Sequence, residues 1–174
     1  MIEQQLDDIT TLMKKMVSLM EKQDDHQNKE TSKECKTAST EEDEKSLKDI
    51  VSSVEHDGKK YVRVHVGKYD FCIDLKDADK EMNWDDAMKY AKDKGMRLFT
   101  LEEGLLMFCF KDEINAMLKN IGGDELTEED AYWSSTEYYR NSARTVNFNN
   151  GNATYSNKYY GYVVRPVAAF NIAP

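Results

Sequence analysis

Residues 23 to 46 hold only Cys35 and Ala38 as apolar side chains among charges of both signs, and no single hydrophobic core can run across such a gap. The stretch reads as a polar tether. It divides the 174 residues into a coiled-coil helix over 1 to 22, a disordered linker over 23 to 46, and a folded domain over 47 to 174. In the first part Ile2, Leu6, Ile9, Met13, Met16 and Met20 follow one another at steps of 4, 3, 4, 3 and 4, which sets all six on one seam, with Leu12 and Leu19 widening it. Three heptads are marginal as an isolated helix, so the pattern favours self-association through residues 2 to 20, with an amphipathic helix packed on its own domain as the alternative. Ile2 and Ile9 at d positions lean away from a dimer, and a trimeric homo-oligomer is the expectation.

A net charge of −9 argues against a nucleic-acid partner, since gripping a phosphate backbone needs clustered Lys and Arg. The opening MIEQQLDDITTLMKK has acids in its first turns and no apolar run. The expectation is a protein made in the cytoplasm without a signal peptide and without membrane insertion. Cys35, Cys72 and Cys109 are widely spaced and odd in number, which suits reduced thiols; Cys72 and Cys109 sit among apolar neighbours and read as small buried hydrophobes.

Within the folded domain, Tyr61–Val66 and Tyr69–Leu75 alternate apolar and polar residues around Gly67-Lys68, the pattern of a β-hairpin with a two-residue turn. Asn83-Trp84-Asp85-Asp86 opens a helix that Gly95 ends. Thr100 and Glu103 form a capping box for a second helix expected to run to about Leu118, burying Leu105, Leu106, Phe108, Cys109, Ile114 and Met117, with Gly122-Gly123 as its terminator. Asn150-Gly151 is a strong hairpin signal. A two-residue turn there sets Phe148 opposite Ala153 and Val146 opposite Tyr155 on the inner side, with Asn147, Asn149, Asn152 and Thr154 facing out. Tyr162–Val167 is apolar enough for a central strand. The order is a strand pair, two helices, then strands, an α+β arrangement.

The C-terminal part has its own composition. Seven of the ten tyrosines lie between residues 132 and 167. Of the 24 Lys and Arg only Arg140, Arg144, Lys158 and Arg165 follow Glu137, and none of the 33 acids does. A segment of Tyr, Asn, Ser, Thr, Gly and Arg is the vocabulary of paratopes, with rigid rings for area and small polar groups for adaptable hydrogen bonds. The candidate ligand-binding residues are Tyr138, Tyr139, Arg140, Asn141, Ser142, Arg144, Asn147, Asn149, Asn152, Thr154, Tyr155, Tyr159 and Tyr160. Each Asn has a plainer reading as a turn former, strongest for Asn150, and the hairpin register turns Tyr155 inward. Trp133 and Arg165 read as scaffold.

Three runs carry a family resemblance: Tyr132-Trp133-Ser134-Ser135-Thr136-Glu137, Val146-Asn147-Phe148-Asn149-Asn150-Gly151 and Val164-Arg165-Pro166-Val167. With Gly95-Met96-Arg97-Leu98 followed by Thr100-Leu101-Glu102-Glu103, they resemble the C-terminal domain of collagen-like bacterial adhesins and the C-type-lectin-fold variable proteins of diversity-generating retroelements. Phe99 stands where that family usually has proline. The resemblance covers about residues 57 to 172. It implies a C-type-lectin-like fold that displays a diversified receptor-binding surface on a phage particle or a bacterial cell. In that class, adenine replacement in Asn codons yields many residues but never Glu, Gln, Lys, Met or Trp. Between 138 and 161 only Lys158 belongs to that excluded set.

Other chemistries find less support. His26, His56 and His65 are far apart, and Asp124, Glu125, Glu128, Glu129 and Asp130 lack the spacing of a calcium loop, so neither a metal nor another cofactor is expected and Thr127 is read as the cap of a solvated acidic turn. The Glu-Pro-Asn and Trp-Asn-Asp motifs of calcium-dependent lectins are missing, so any glycan binding is expected to be calcium-independent. Formylglycine-generating enzymes share the fold, but their chemistry needs a cysteine pair near the C-terminal core and none follows Cys109. No Ser-His-Asp or Cys-His grouping offers another catalyst, so the reading is a binding protein of a protein or glycan ligand, with a fixed adhesin-like or virion-decorating domain as the alternative.

Overall fold

The computed structural model describes residues 50–169, which belong to a compact unit over Asp49–Pro174. The expected coiled coil and linker lie outside the described residues.

The first strand of the described residues precedes the expected hairpin and has no counterpart in the sequence pattern. β1 (Val51–His56) pairs antiparallel with β2 (Lys59–Val66) across Asp57-Gly58, both at positive φ (50° and 72°), the backbone that a two-residue hairpin of this hand demands. The second hairpin forms as expected: β2 pairs with β3 (Tyr69–Ile73), and Val66 faces Tyr69 across Gly67-Lys68. Alternation then buries Val62, Val64 and Val66 on the inner face.

Asn83 caps α1 (Trp84–Asp93) by accepting the Asp86 N–H at 2.9 Å, and Asp85 and Asp86 complement the dipole of its first turn. After the two-residue strand β4 (Arg97–Leu98), the Thr100 and Glu103 capping box starts α2 (Leu101–Cys109). Glu103 also grips Arg97 with both oxygens, at 2.6 and 2.7 Å, which satisfies an otherwise buried carboxylate.

The second helix is not continuous. Phe110 (φ −110°, ψ 24°) breaks it, and α3 (Lys111–Ile121) follows, ended by Gly122 at φ 84°. Phe110 is fully buried, and the two helices serve different sheets: α2 packs on the later strands and α3 on β1 and β2. One straight rod cannot face both, because a row of every fourth residue drifts by about 40° per step around a helix. Of the residues expected on the buried side, Leu106 and Ile114 are buried, whereas Leu105 is 37% exposed and Phe108, Cys109 and Met117 are only partly covered; Met107, Phe110 and Leu118 take the core positions instead.

β5 (Ala131–Tyr139), β6 (Ser142–Asn147) and β7 (Ala153–Asn157) make a three-stranded antiparallel sheet. The last strand among the described residues, β8 (Pro166–Ala168), inserts between β3 and β4 to complete a five-stranded sheet in the order β1-β2-β3-β8-β4. The last strand is thus central, as expected, but shorter. Its lead-in joins the two sheets: Tyr162 bridges to Met82, and Val163 to Tyr132. The domain is mixed α/β, with two antiparallel sheets and three helices among the described residues, none long and apolar enough to cross a membrane.

Trp133 and Arg165 are scaffold. The indole of Trp133 is buried, donates to the Met82 carbonyl at 2.9 Å and meets Tyr162 edge-on at 4.9 Å. Arg165, with no exposed surface, donates to Asp77 Oδ1 at 2.5 Å and to the carbonyls of Asp74, Asp124 and Glu125 at 3.1 to 3.3 Å. The second oxygen of Asp77 accepts the Tyr132 hydroxyl at 2.9 Å.

Candidate functional site

The β5–β6 hairpin turns at Arg140-Asn141, with Tyr139 opposite Ser142. The register shifts between Trp133 and Glu137 and again between Glu137 and Tyr139, so β5 twists out of its early alignment as it leaves the core. Tyr138 lands across β6. Its ring stacks on Tyr155 (4.4 Å between centroids, 24°), meets Tyr139 edge-on at 4.4 Å, and carries the Arg144 guanidinium 4.2 Å above its centre. Arg144 and Tyr155 are themselves cross-strand partners. Four candidates from three strands form one cluster in this way, and Tyr138, Tyr139 and Tyr155 remain 37, 68 and 57% exposed. A hydrogen bond to Tyr138 pushes the Tyr139 hydroxyl above its ordinary range.

Tyr155 faces outward, contrary to the inward ring expected from a two-residue turn. The β6–β7 connection is longer: Val146 pairs with Ala153, Asn147 donates to the Asn152 carbonyl at 3.0 Å, and Phe148 leaves the ladder. The cause is burial. Phe148 is inaccessible, packed edge-on against Tyr132 at 4.8 Å and Phe99 at 6.3 Å. Asn147 and Asn150 build this loop by accepting the backbone N–H of Asn149 and Asn152 at 2.8 and 2.9 Å. Asn147 is therefore a loop former more than a contact residue, whereas the side chains of Asn149 and Asn152 are exposed. Gly151, at φ 73°, lets the loop lie directly on the Phe108 ring.

The thirteen candidates fall into two groups. Asn147, Asn149 and Asn152 sit at one end of β6. Tyr138, Tyr139, Arg140, Asn141, Ser142, Arg144 and Tyr155 gather toward the other, roughly 15 Å along the strand. Thr154 lies between, its hydroxyl 3.0 Å from that of Thr145. Tyr159 and Tyr160, 81 and 64% exposed, follow β7 on a turn beside the larger group.

Lys158 holds that turn in place. Its backbone N–H donates to the Asn141 carbonyl and its carbonyl accepts the Trp84 N–H, both at 3.0 Å. Its ammonium lies 3.9 Å from the Trp84 ring centre and 2.6 Å from Glu137. With its side chain only 13% exposed, Lys158 ties the display turn, the β5–β6 turn and the start of α1 together. Its membership of the excluded residue set was the one sequence signal for this role.

A second element escaped the sequence reading: an open cleft of about 630 Å³ between Tyr159-Gly161 and the start of α1, lined by Glu81, Asn83 and Tyr90 among others. Burial and the neighbouring Asp130 carboxyl raise Glu81 above the usual carboxylate range. Its residues come from two segments far apart in the chain, 80–93 and 159–161, so no local motif marks it. Around the acidic turn, Thr127 does cap, accepting the Glu129 N–H at 3.2 Å, while the carbonyls of Asp124 and Glu125 face the Arg165 guanidinium. Among the described residues no group of three or more His, Cys, Asp or Glu side chains is placed to hold a metal ion. No protein-family model matches the chain, and no curated protein matches it.

Proposed function

We propose that this domain is a ligand-binding module of the C-type-lectin-like class that presents a diversified, calcium-independent recognition surface at a phage or bacterial cell surface. The observation that carries the reading is the division between surface and frame within residues 138 to 160: exposed Tyr, Arg and Asn side chains stand on a backbone held by buried or clamped residues, Val146, Phe148, Gly151 and Lys158. Aromatic and guanidinium groups of this kind concentrate binding energy. Such a frame lets displayed side chains change while the strands keep their register. Presentation as an oligomer through residues 2 to 20 adds avidity, which suits weak single sites.

Sequencing the DNA around the gene tests this. The expected result is a near-copy of codons 138 to 161, differing at adenines and accompanied by a reverse transcriptase. A locus with neither sinks diversification and leaves a fixed adhesin-like surface.

A further inference from the structure

The display surface has a charge character that points to its partner. No acid follows Glu137 in the chain, and the Glu137 carboxylate is already taken by Lys158 at 2.6 Å. Among the described residues neither Arg140 nor Arg144 forms an ion pair, although the whole chain carries a net charge of −9. Arg144 is the more prepared of the two. Its guanidinium is laid over Tyr138 at 4.2 Å, which orders the group and shields one face while the N–H edge stays available for a two-pronged bond to a carboxylate. Arg140 stands exposed on the adjoining two-residue turn. The three rings of the cluster are exposed instead of enclosing a cavity, which suits a broad protein face better than a single sugar ring.

We infer that the partner of this surface is an acidic patch of a folded protein, whose carboxylates pair with Arg140 and Arg144 while neighbouring side chains pack on Tyr138, Tyr139 and Tyr155. The inference rests on the display reading above and adds the chemistry of the ligand. Opposite charge steers such an encounter, and an Arg stacked on an aromatic ring loses little freedom on binding.

Binding of the full chain to two immobilised polymers, poly-L-glutamate and polysialic acid, tests it at low and at near-physiological salt. Poly-L-glutamate is expected to bind, with affinity falling as salt rises. The double variant Arg140→Ser, Arg144→Ser, with an unchanged melting temperature, is expected to lose about tenfold or more. Absence of poly-L-glutamate binding, or binding indifferent to the double variant, overturns the inference. A clear preference for polysialic acid overturns it in favour of an acidic glycan. A template repeat beside the gene together with a negative polymer result would retain the display reading and remove only its partner chemistry.

Discussion

Arg165 places a full positive charge where no water reaches, and Asp77 with three backbone carbonyls supplies the compensation. Arg165→Met keeps much of the volume but leaves those acceptors facing an apolar chain. The expected loss is about 3–5 kcal/mol in denaturant unfolding, the scale for breaking a buried pair from one side. Cys72 shows the opposite economy: burial pushes its thiol up to about 11 from an ordinary 9.0, so it behaves as a core hydrophobe. The sequence indicated both roles, through the run Val164-Arg165-Pro166-Val167 and through the apolar neighbours of Cys72. The oxygen atoms that meet Arg165 were not legible, because they come from loops some 40 and 90 residues away.

Elements were legible where a local rule decides them. The Gly67-Lys68 hairpin, the Asn83 cap and the Thr100–Glu103 box depend on residues within a few positions of one another. The break at Phe110 and the outward Tyr155 depend on which sheet a helix must cover and on where one buried ring goes, neither of which periodicity reveals. Gly104 tests the packing of α2. Alanine at an interior helix glycine ordinarily gains up to about 1 kcal/mol. Here a Cβ would come within 2.7 Å of the buried Phe99 ring and 3.0 Å of Val146, so Gly104→Ala is expected to cost about 1–3 kcal/mol, seen as a lower melting temperature. Lys158→Met removes the charge from the clamp while keeping its stem over Trp84. Because Glu137 is largely exposed, the expected cost is modest, about 1 kcal/mol. Amide exchange should rise at Tyr159 and Tyr160; an unchanged exchange pattern would remove Lys158 from that role.

For the molecule as a whole, surface and frame should respond differently to change. The double substitution Tyr159→Ala, Tyr160→Ala is expected to shift unfolding by no more than about 0.5 kcal/mol, since both rings are mostly in solvent. A large loss would make them part of the frame. Alkaline pH acts on the frame instead. Cys72 and Tyr132 both have raised folded-state pKa values, chiefly through burial, so above their unfolded values the unfolded chain releases protons that the native state retains. The Cys72 contribution is complete below about pH 9 and is lost as the pH climbs toward 11, while that of Tyr132 is complete below about pH 10 and goes on falling at still higher pH, which a series of melting curves would reveal. The Cys72→Ala variant should flatten the first part of that decline.

The junction around Arg165 has a consequence for where such a domain can operate. The positive centre that gathers Asp77, Asp74, Asp124 and Glu125 is covalently part of the chain, so this junction cannot be stripped by a chelator or diluted away in ion-poor water. Passage between media of very different divalent-ion content leaves it assembled.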